Sequence, residues 1–593
     1  MAQRKNPAAS GGATSKTEQD NFEVEEIEQS TNLVYDDVEE VPELHMRTWI
    51  ALASMFLLNL VQLIALQGPP AVLDYIGTSF DAGPTQTWIP TALSVVQAVL
   101  GPIISSASDT FQVRKSLLVG TCTISFIGSA IAPGSTNVYR LIAAQALIGV
   151  GFAAVPLSYC VPSEILPRRW RPATQAAMNV AACIGAVLGP AVIGAFTAKD
   201  RLDGWRNFYW FQMGVWGITA LGILAGYRPP PRHTALDHLS FSQKLARLDI
   251  PGTGLFCSGL TLFLAGLCQG GGIYSWTNAR VLAPLIVGGV LLACFGLYET
   301  FGTRTGIFHH DLFVGPQTNG RIVALCILLM GVEAILGFSY ILIYPALTTA
   351  LFTTDIMCVI ARLEGFWIAC AFGSVVFGYG STRFRTIREL LVVGFFIIMG
   401  GVIGFATIQP GQPANAVAFA CMTGFGFGAI LILIVAAVQL STPHHLIATA
   451  TAVLTSTRAF SATVFTAIYA TAVRSQLEKK LAPSVAAAAI SAGLPARSLE
   501  SFLQALLAND SAALSQVPGV TTAVTATSLI ARNQAFADSF RIVYIIAAPF
   551  GAAGIVAALC LGSVKETMNY GVDAPVEKLH AKHHHPEAAS QAA

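Results

Sequence analysis

Charge is what this chain has least of. Only 11% of its 593 residues are Asp, Glu, Lys or Arg, against roughly 25% in an ordinary soluble domain. The signs nearly cancel, 34 basic against 33 acidic, leaving a formal net charge of +1. That balance excludes the basic surface a nucleic-acid partner needs. The eleven cysteines lack metal-ligand spacing and all lie in or beside apolar runs, so they read as small core residues rather than a disulfide framework. No cleavable signal peptide is expected: residues 1–46 are polar, carry a run of Glu and Asp, and read as a disordered acidic tail. No nucleophile–base pair or metal constellation stands out, so neither an enzyme nor a cofactor is expected. Gly149-Val-Gly151 sits inside an apolar run with no strand before it, which excludes a dinucleotide fingerprint. His583-His584-His585 reads as a solvated patch in the tail.

Hydrophobicity is what the chain has most of, at 54%. Runs of about 20 apolar residues span a bilayer as helices. Fourteen lie near 48–67, 86–106, 116–132, 141–161, 174–197, 207–227, 252–269, 281–299, 321–344, 356–379, 388–408, 414–438, 447–473 and 541–563. The expected fold class is therefore an all-α integral membrane protein. Arginine and lysine orient it, since cytosolic loops collect them. With a cytosolic N-terminus the inside loops carry Arg114 and Lys115; Arg168, Arg169 and Arg171; Arg228, Arg232, Lys244 and Arg247; and Arg383, Arg385 and Arg388. Short outside loops carry few: Lys199, Arg201, Arg206 and Arg280. An even span count returns the C-terminus to the cytosol and places loop 475–539 outside, with the sequon at Asn509 as a glycosylation candidate and an amphipathic helix around Ser498–Leu507.

A basic stretch follows the second run, Asp109 to Lys115, and another follows the tenth, Gly380 to Arg388. The match is faint in letters but fits in position if two spans are inserted midway. The expected layout is an acidic tail (1–46), a six-helix bundle (47–227), a linker holding helices seven and eight (228–318), a second six-helix bundle (319–563) and a cytosolic tail (564–593). Two six-span halves form a parallel repeat of the kind that transporters use.

The fifth run contains Gly185, Gly189, Pro190 and Gly194. Glycine and proline are costly inside a helix. Gly185 and Gly189 are four apart, on one face, where a neighbouring backbone can come close, and Pro190 bends the helix just beyond. Both glycines are expected to pack against a helix of the opposite half and seal the inner part of a cavity, as alternating access requires.

The Asp109…Arg114-Lys115 loop resembles the cytosolic loop of the major facilitator superfamily, with Ser105 and Gln112 standing for glycines and Val113 for an arginine. The Gly185 to Gly194 string resembles the motif of drug:proton antiporters, with Ile193 in place of one glycine. Ser163-Glu164 through Pro167 to Arg171, Leu267 through Gly270, Gly271, Gly272 and Trp276 to Thr277, and Ser491 to Pro495 resemble the fungal branch of trichothecene efflux pumps and siderophore–iron transporters. The resemblance covers roughly residues 45–570. It implies a major facilitator fold of two six-helix bundles plus two inserted helices. It also implies a cytosolic latch formed by Asp109, Arg114, Lys115, Glu164 and Arg171, of weak interfacial pairs that bias two states without freezing one. Arg140, which opens the fourth span ahead of Gln145, would serve proton transfer by the same resemblance, although the spacing to that Gln is longer than usual.

Glu333 sits mid-span, where a charge costs about 2.5–3.5 kcal/mol on insertion scales. A carboxylate out of water favours its protonated form, which suits a proton carrier. Arg458, deep in the thirteenth span, would instead hold it ionised as a structural pair, and both readings stand. Arg362 and Glu364 open the tenth span; Glu364 is a further proton-coupling candidate, with interfacial snorkelling the alternative. Asn59, Gln62, Gln67, Gln145, Tyr340 and Tyr344 are cavity candidates suited to a neutral, oxygen-rich molecule, with helix–helix hydrogen bonding the alternative. The expected function is proton-coupled export of a toxic or secondary-metabolite small molecule by a monomer in the plasma membrane, or else a vacuolar or vesicle membrane. The alternatives are uptake of ferric siderophores and a membrane sensor that does not transport.

Overall fold

The computed structural model describes residues 40–229, 249–270, 274–303, 306, 310–314, 319–507, 511–577 and 579. Most of the acidic tail, Arg232, Lys244, Arg247, Gly271, Gly272, Asn509 and His583 to His585 lie outside the described residues.

Helices account for nearly all of it. The first half holds α1 (Met46–Ala71), α2 (Trp88–Phe111), α3 (Arg114–Ile131), α4 (Val138–Phe152), α5 (Val155–Ile165), α6 (Arg171–Lys199) and α7 (Gly204–Gly226). Helices α4 and α5 make one crossing, broken at Ala153-Ala154 just ahead of Pro156, whose ring cannot continue a helix without a lost hydrogen bond. Next come α8 (Ile250–Gln269) and α9 (Ala279–Leu297). The second half holds α10 (Gly320–Leu351), α11 (Ile356–Phe384), α12 (Arg388–Ala406), α13 (Pro413–Leu440), α14 (Ile447–Ser491), the short α15 (Leu499–Leu507) and α16 (Thr522–Leu559).

Thirteen helical segments among the described residues are long and apolar enough to cross a membrane. Helix α14 runs alongside them, packed on α2, α10 and α16. It is more polar because Thr449, Thr451, Thr455, Ser456, Thr457, Arg458 and Ser461 fall on it. Segment 475–539 is largely helical: α14 continues to Ser491 and α16 begins at Thr522. Val485, Ala489, Leu494, Phe502, Leu506 and Val524 give this cap an apolar core of its own.

The repeat that the letters barely show is plain in the packing. In the first half α1 lies on α6 and α7, α3 on α4 and α7, and α2 on α4. In the second, α10 lies on α14 and α16, α12 on α13 and α16, and α11 on α13. The halves meet through α6 against α11 and α2 against α14, with α5 on α14 mirrored by α13 on α6. Both basic loops also turn alike. Helix α2 ends on Gln112 at φ 56° and α11 on Arg385 at φ 52°. This left-handed region favours glycine, the residue for which Gln112 stands in.

One expectation is corrected here. Gly185 and Gly189 do not face the opposite half; they pack on α1 of their own half. A Cβ on Gly185 would collide with the Leu60 carbonyl oxygen, and one on Gly189 would lie 2.9 Å from that of Ile64. The reason is the close crossing of α1 and α6, which leaves no room for side chains between the backbones. The seam between halves uses other positions on α6. Gly194 meets Ile360 of α11, and Gly378 of α11 lies against Ala176 and Pro172.

Because the obstacle at Gly185 is backbone, it cannot move aside. Gly185→Ala is expected to destabilise the protein by about 1–3 kcal/mol. Gly120→Ala, at a helical position with nothing within 4 Å, should be neutral or stabilising by about 0.5–1 kcal/mol. Thermal unfolding of the two variants in detergent checks the contrast.

Candidate functional site

The arginine-rich end of the bundle is sealed. Every residue of α5 is buried, as are Gly426 to Leu440 of α13 and Ile447 to Ser456 of α14. Beyond this stretch burial relaxes, and Thr457 to Ser461 are all half-buried. The two halves are therefore pressed together at one end and looser towards the other.

Polar groups hold the seal. Arg114, at the start of α3, lies 2.9 Å from Asp109 Oδ1 and forms an ion pair with Glu164 at the end of α5. Asp109 then reaches across the interface with its other oxygen. Oδ2 accepts hydrogen bonds from the Thr449 backbone N–H at 3.0 Å and the Thr449 hydroxyl at 2.7 Å. A carboxylate is well placed there, because Thr449 lies in the first turn of α14 and the free N–H groups of a helix start attract negative charge. Nearby, Arg171 donates to the Gln439 carbonyl oxygen. The Gln175 amide donates to Gln439 Oε1 at 3.1 Å, and Gln439 donates to Thr451 Oγ1 at 3.2 Å. Higher on the same seam Asn179 donates to Ser374 Oγ at 2.7 Å.

The expected latch is thus only partly one unit. Asp109, Arg114 and Glu164 form one cluster. Arg171 does not join it: its charge partner is Asp573, beyond α16. Lys115 is half-buried and makes no ion pair among the described residues. Nor are these surface pairs. The side chains of Arg114 and Glu164 are 3% and 1% exposed, because the facing half closes over the loop. Gln175, Gln439, Thr449 and Asp573 were missed by reading the sequence. The two glutamines carried a signal, as lone amides in apolar helices; Asp573 carried none.

In the interior, Glu333 on α10 is fully buried, and Arg458 Nε of α14 lies 3.0 Å from its Oε2. The Arg458 side chain keeps 28% exposure and lies over the Phe427 ring at 5.5 Å. Both oxygens of Glu364, nearer the other end, are buried without a hydrogen-bond partner among the described residues. The amides and phenols are mostly tied inside their own bundles. Asn59 accepts from Ser158 at 3.1 Å, Gln62 donates to the Gly151 carbonyl at 3.0 Å, and Gln145 donates to the Tyr209 hydroxyl at 2.7 Å. Tyr340 and Tyr344 stack on each other at 4.8 Å, and Tyr340 stacks on Phe366. Of these six, only Gln67 is half-exposed in this conformation. Arg140 is exposed at the start of α4, and its own N–H is capped by Asn137, apart from buried Gln145.

Two pseudo-symmetric helical bundles, closed at one end by hydrogen bonds between them and holding an ion pair in the interior, are the architecture of a membrane transporter. Its fold is shared with the proton:xylose symporter XylE, which covers 88% of this chain and 98% of its own at a TM-score of 0.51 and 14% identity. The chain belongs to the family described as fungal trichothecene efflux pump (TRI12), which it matches over residues 30–585. It is 26% identical to the MFS-type transporter prx5 of Penicillium rubens over 75% of this chain and 80% of that protein. It is 24% identical to the trichothecene efflux pump TRI12 of Fusarium sporotrichioides, over 88% of both.

Removing the cation from the buried cluster leaves two carboxylates together out of water. Arg114→Met is expected to cost about 3–5 kcal/mol, whereas Lys115→Ala should stay within about 0.5 kcal/mol. Denaturant or thermal unfolding of the purified variants measures the difference.

Proposed function

We propose that this chain exports a toxic or secondary-metabolite small molecule from a fungal cell and couples export to proton entry. The efflux family supports the direction. The arginine-rich end is taken as cytosolic, so the sealed seam closes the cytosolic side and this conformation faces outward.

The observation that carries proton coupling is the Glu333–Arg458 pair. One partner is wholly buried and the other keeps 28% of its side chain exposed. While Glu333 is ionised it holds Arg458. A proton on Glu333 cancels that attraction and frees the guanidinium to turn along the polar face of α14, where Thr457 and Ser461 approach Gly331. Glu364 is the second proton site, nearer the outer end. Two arrangements of one cation, selected by one proton, are the bistable element that coupling requires.

Glu333→Gln is expected to abolish net transport driven by a proton gradient while leaving substrate exchange. If Arg458→Ala alone is inactive and Glu333→Gln/Arg458→Ala recovers transport, the pair is structural and the proton role is wrong. Direction is read from cells. Expression should lower intracellular trichothecene, and less so once the proton gradient is collapsed. Expression that raises intracellular ferric siderophore and leaves toxin tolerance unchanged would replace export by uptake.

Orientation has its own check. A tag inserted near Asn509 should bind antibody on intact cells. Labelling that needs permeabilisation would reverse the topology.

A further inference from the structure

The chain after α16 turns back across the arginine-rich end. It leaves the second half at Cys560, whose carbonyl accepts from Arg321 at 3.1 Å. Leu561, Val564, Met568, Val572 and Ala574 are then buried in succession. From there the strap hydrogen-bonds to the first half. Arg169 and Arg168 donate their backbone N–H groups to the carbonyls of Asn569 and Gly571 at 2.7 and 3.0 Å, and Ala574 donates to the Glu164 carbonyl at 2.9 Å. The Arg169 side chain reaches the Tyr570 hydroxyl at 2.6 Å. Asp573 stands between two arginines, 2.5 Å from Arg168 and paired with Arg171. At the far end Glu577 Oε1 accepts from the Thr48 hydroxyl at 2.6 Å and the His45 N–H at 3.1 Å, at the start of α1.

We infer that residues 560–577 are a clasp, covalently part of the second half and docked on the first, that must let go each time the arginine-rich end opens, with Asp573 as its positioning residue. The geometry requires it. Rocking the halves apart at this end separates α16 from α1, α5 and α6, and the strap joins them. Asp573 acts through Arg171, the side chain that also donates across the seam to Gln439. Release of the strap therefore loosens a contact of the seal itself. The inference rests on the alternating-access reading but not on export, substrate or proton coupling.

Protonation of Asp573 is not what releases the clasp. Burial alone would raise the Asp573 carboxyl, but Arg171 and Arg168, with His444 facing it as well, hold it below the usual range. A lowered carboxyl contributes its full stability above the ordinary value of about 3.9 and loses it only as pH falls through the lowered one. The strap's release is therefore set by competition with the inward-facing state rather than by a proton on Asp573.

Hydrogen exchange on the full chain in lipid nanodiscs, read by mass spectrometry without added ligand, tests this. In Asp573→Ala, residues 447–456 of α14, sealed in this structure and outside the strap, should exchange at least about tenfold faster. Peptides of the 475–539 cap should be unchanged, and Asp573→Glu should restore protection at 447–456. Glu577→Ala, which frees only the far end of the strap, should act in the same direction but less. If residues 165–171 and 565–577 loosen while 447–456 keep wild-type protection, the strap is a passive cover and the inference fails. Acceleration that spreads to the cap fails it too, because the role is then general packing. A chain that passes this test yet moves no toxin would sink the export proposal and leave the clasp standing.

Discussion

A guanidinium taken out of water must have its charge answered, and the closed end of this transporter is arranged around two that are. Arg114 is held between Asp109 and Glu164; Arg171 is answered by Asp573. Because a buried charge tolerates few geometries, these pairs fix where α2, α3, α5 and α6 end. Asp109 extends the constraint to the other half by accepting from Thr449 with the oxygen that Arg114 leaves free. One carboxylate thus serves the interior of one bundle and its grip on the other.

The interior follows a different rule. Glu333 and Arg458 meet across two helices of the same half, and both Glu364 oxygens lie buried without a hydrogen-bond partner among the described residues. Asn59, Gln62 and Gln145 are spent on neighbours within the first bundle. Substrate recognition by those groups requires them to exchange partners as the halves move, whereas Gln67 and Arg458 are already accessible.

Much of the architecture was legible in the chain. Each of the fourteen apolar runs became a helix or helix pair at its expected place. Their ends were less legible, because hydropathy reports where lipid touches a helix and not where hydrogen bonding stops. Helix α14 runs on to Ser491 through Ala-rich sequence that is a good helix former outside any bilayer. The fifth run was rightly read as a tight seam but assigned the wrong neighbour. Gly185 and Gly189 announce that a backbone comes close without saying whose, and it proved to be that of α1.

The sequence by itself determined the class of fold, the family and the end where the arginines gather. These depend on local quantities: run length, residue type and motif spacing. Only the tertiary structure decided which charge meets which. Asp109, Arg114 and Glu164 belong to adjoining crossings of one bundle, so their cluster was foreseeable. Arg171 had several acids within reach of any linear reading, and its partner lies 402 residues away in a tail without a motif. Ion pairing depends on distance in space, and that distance exists only once both halves and the strap have folded together.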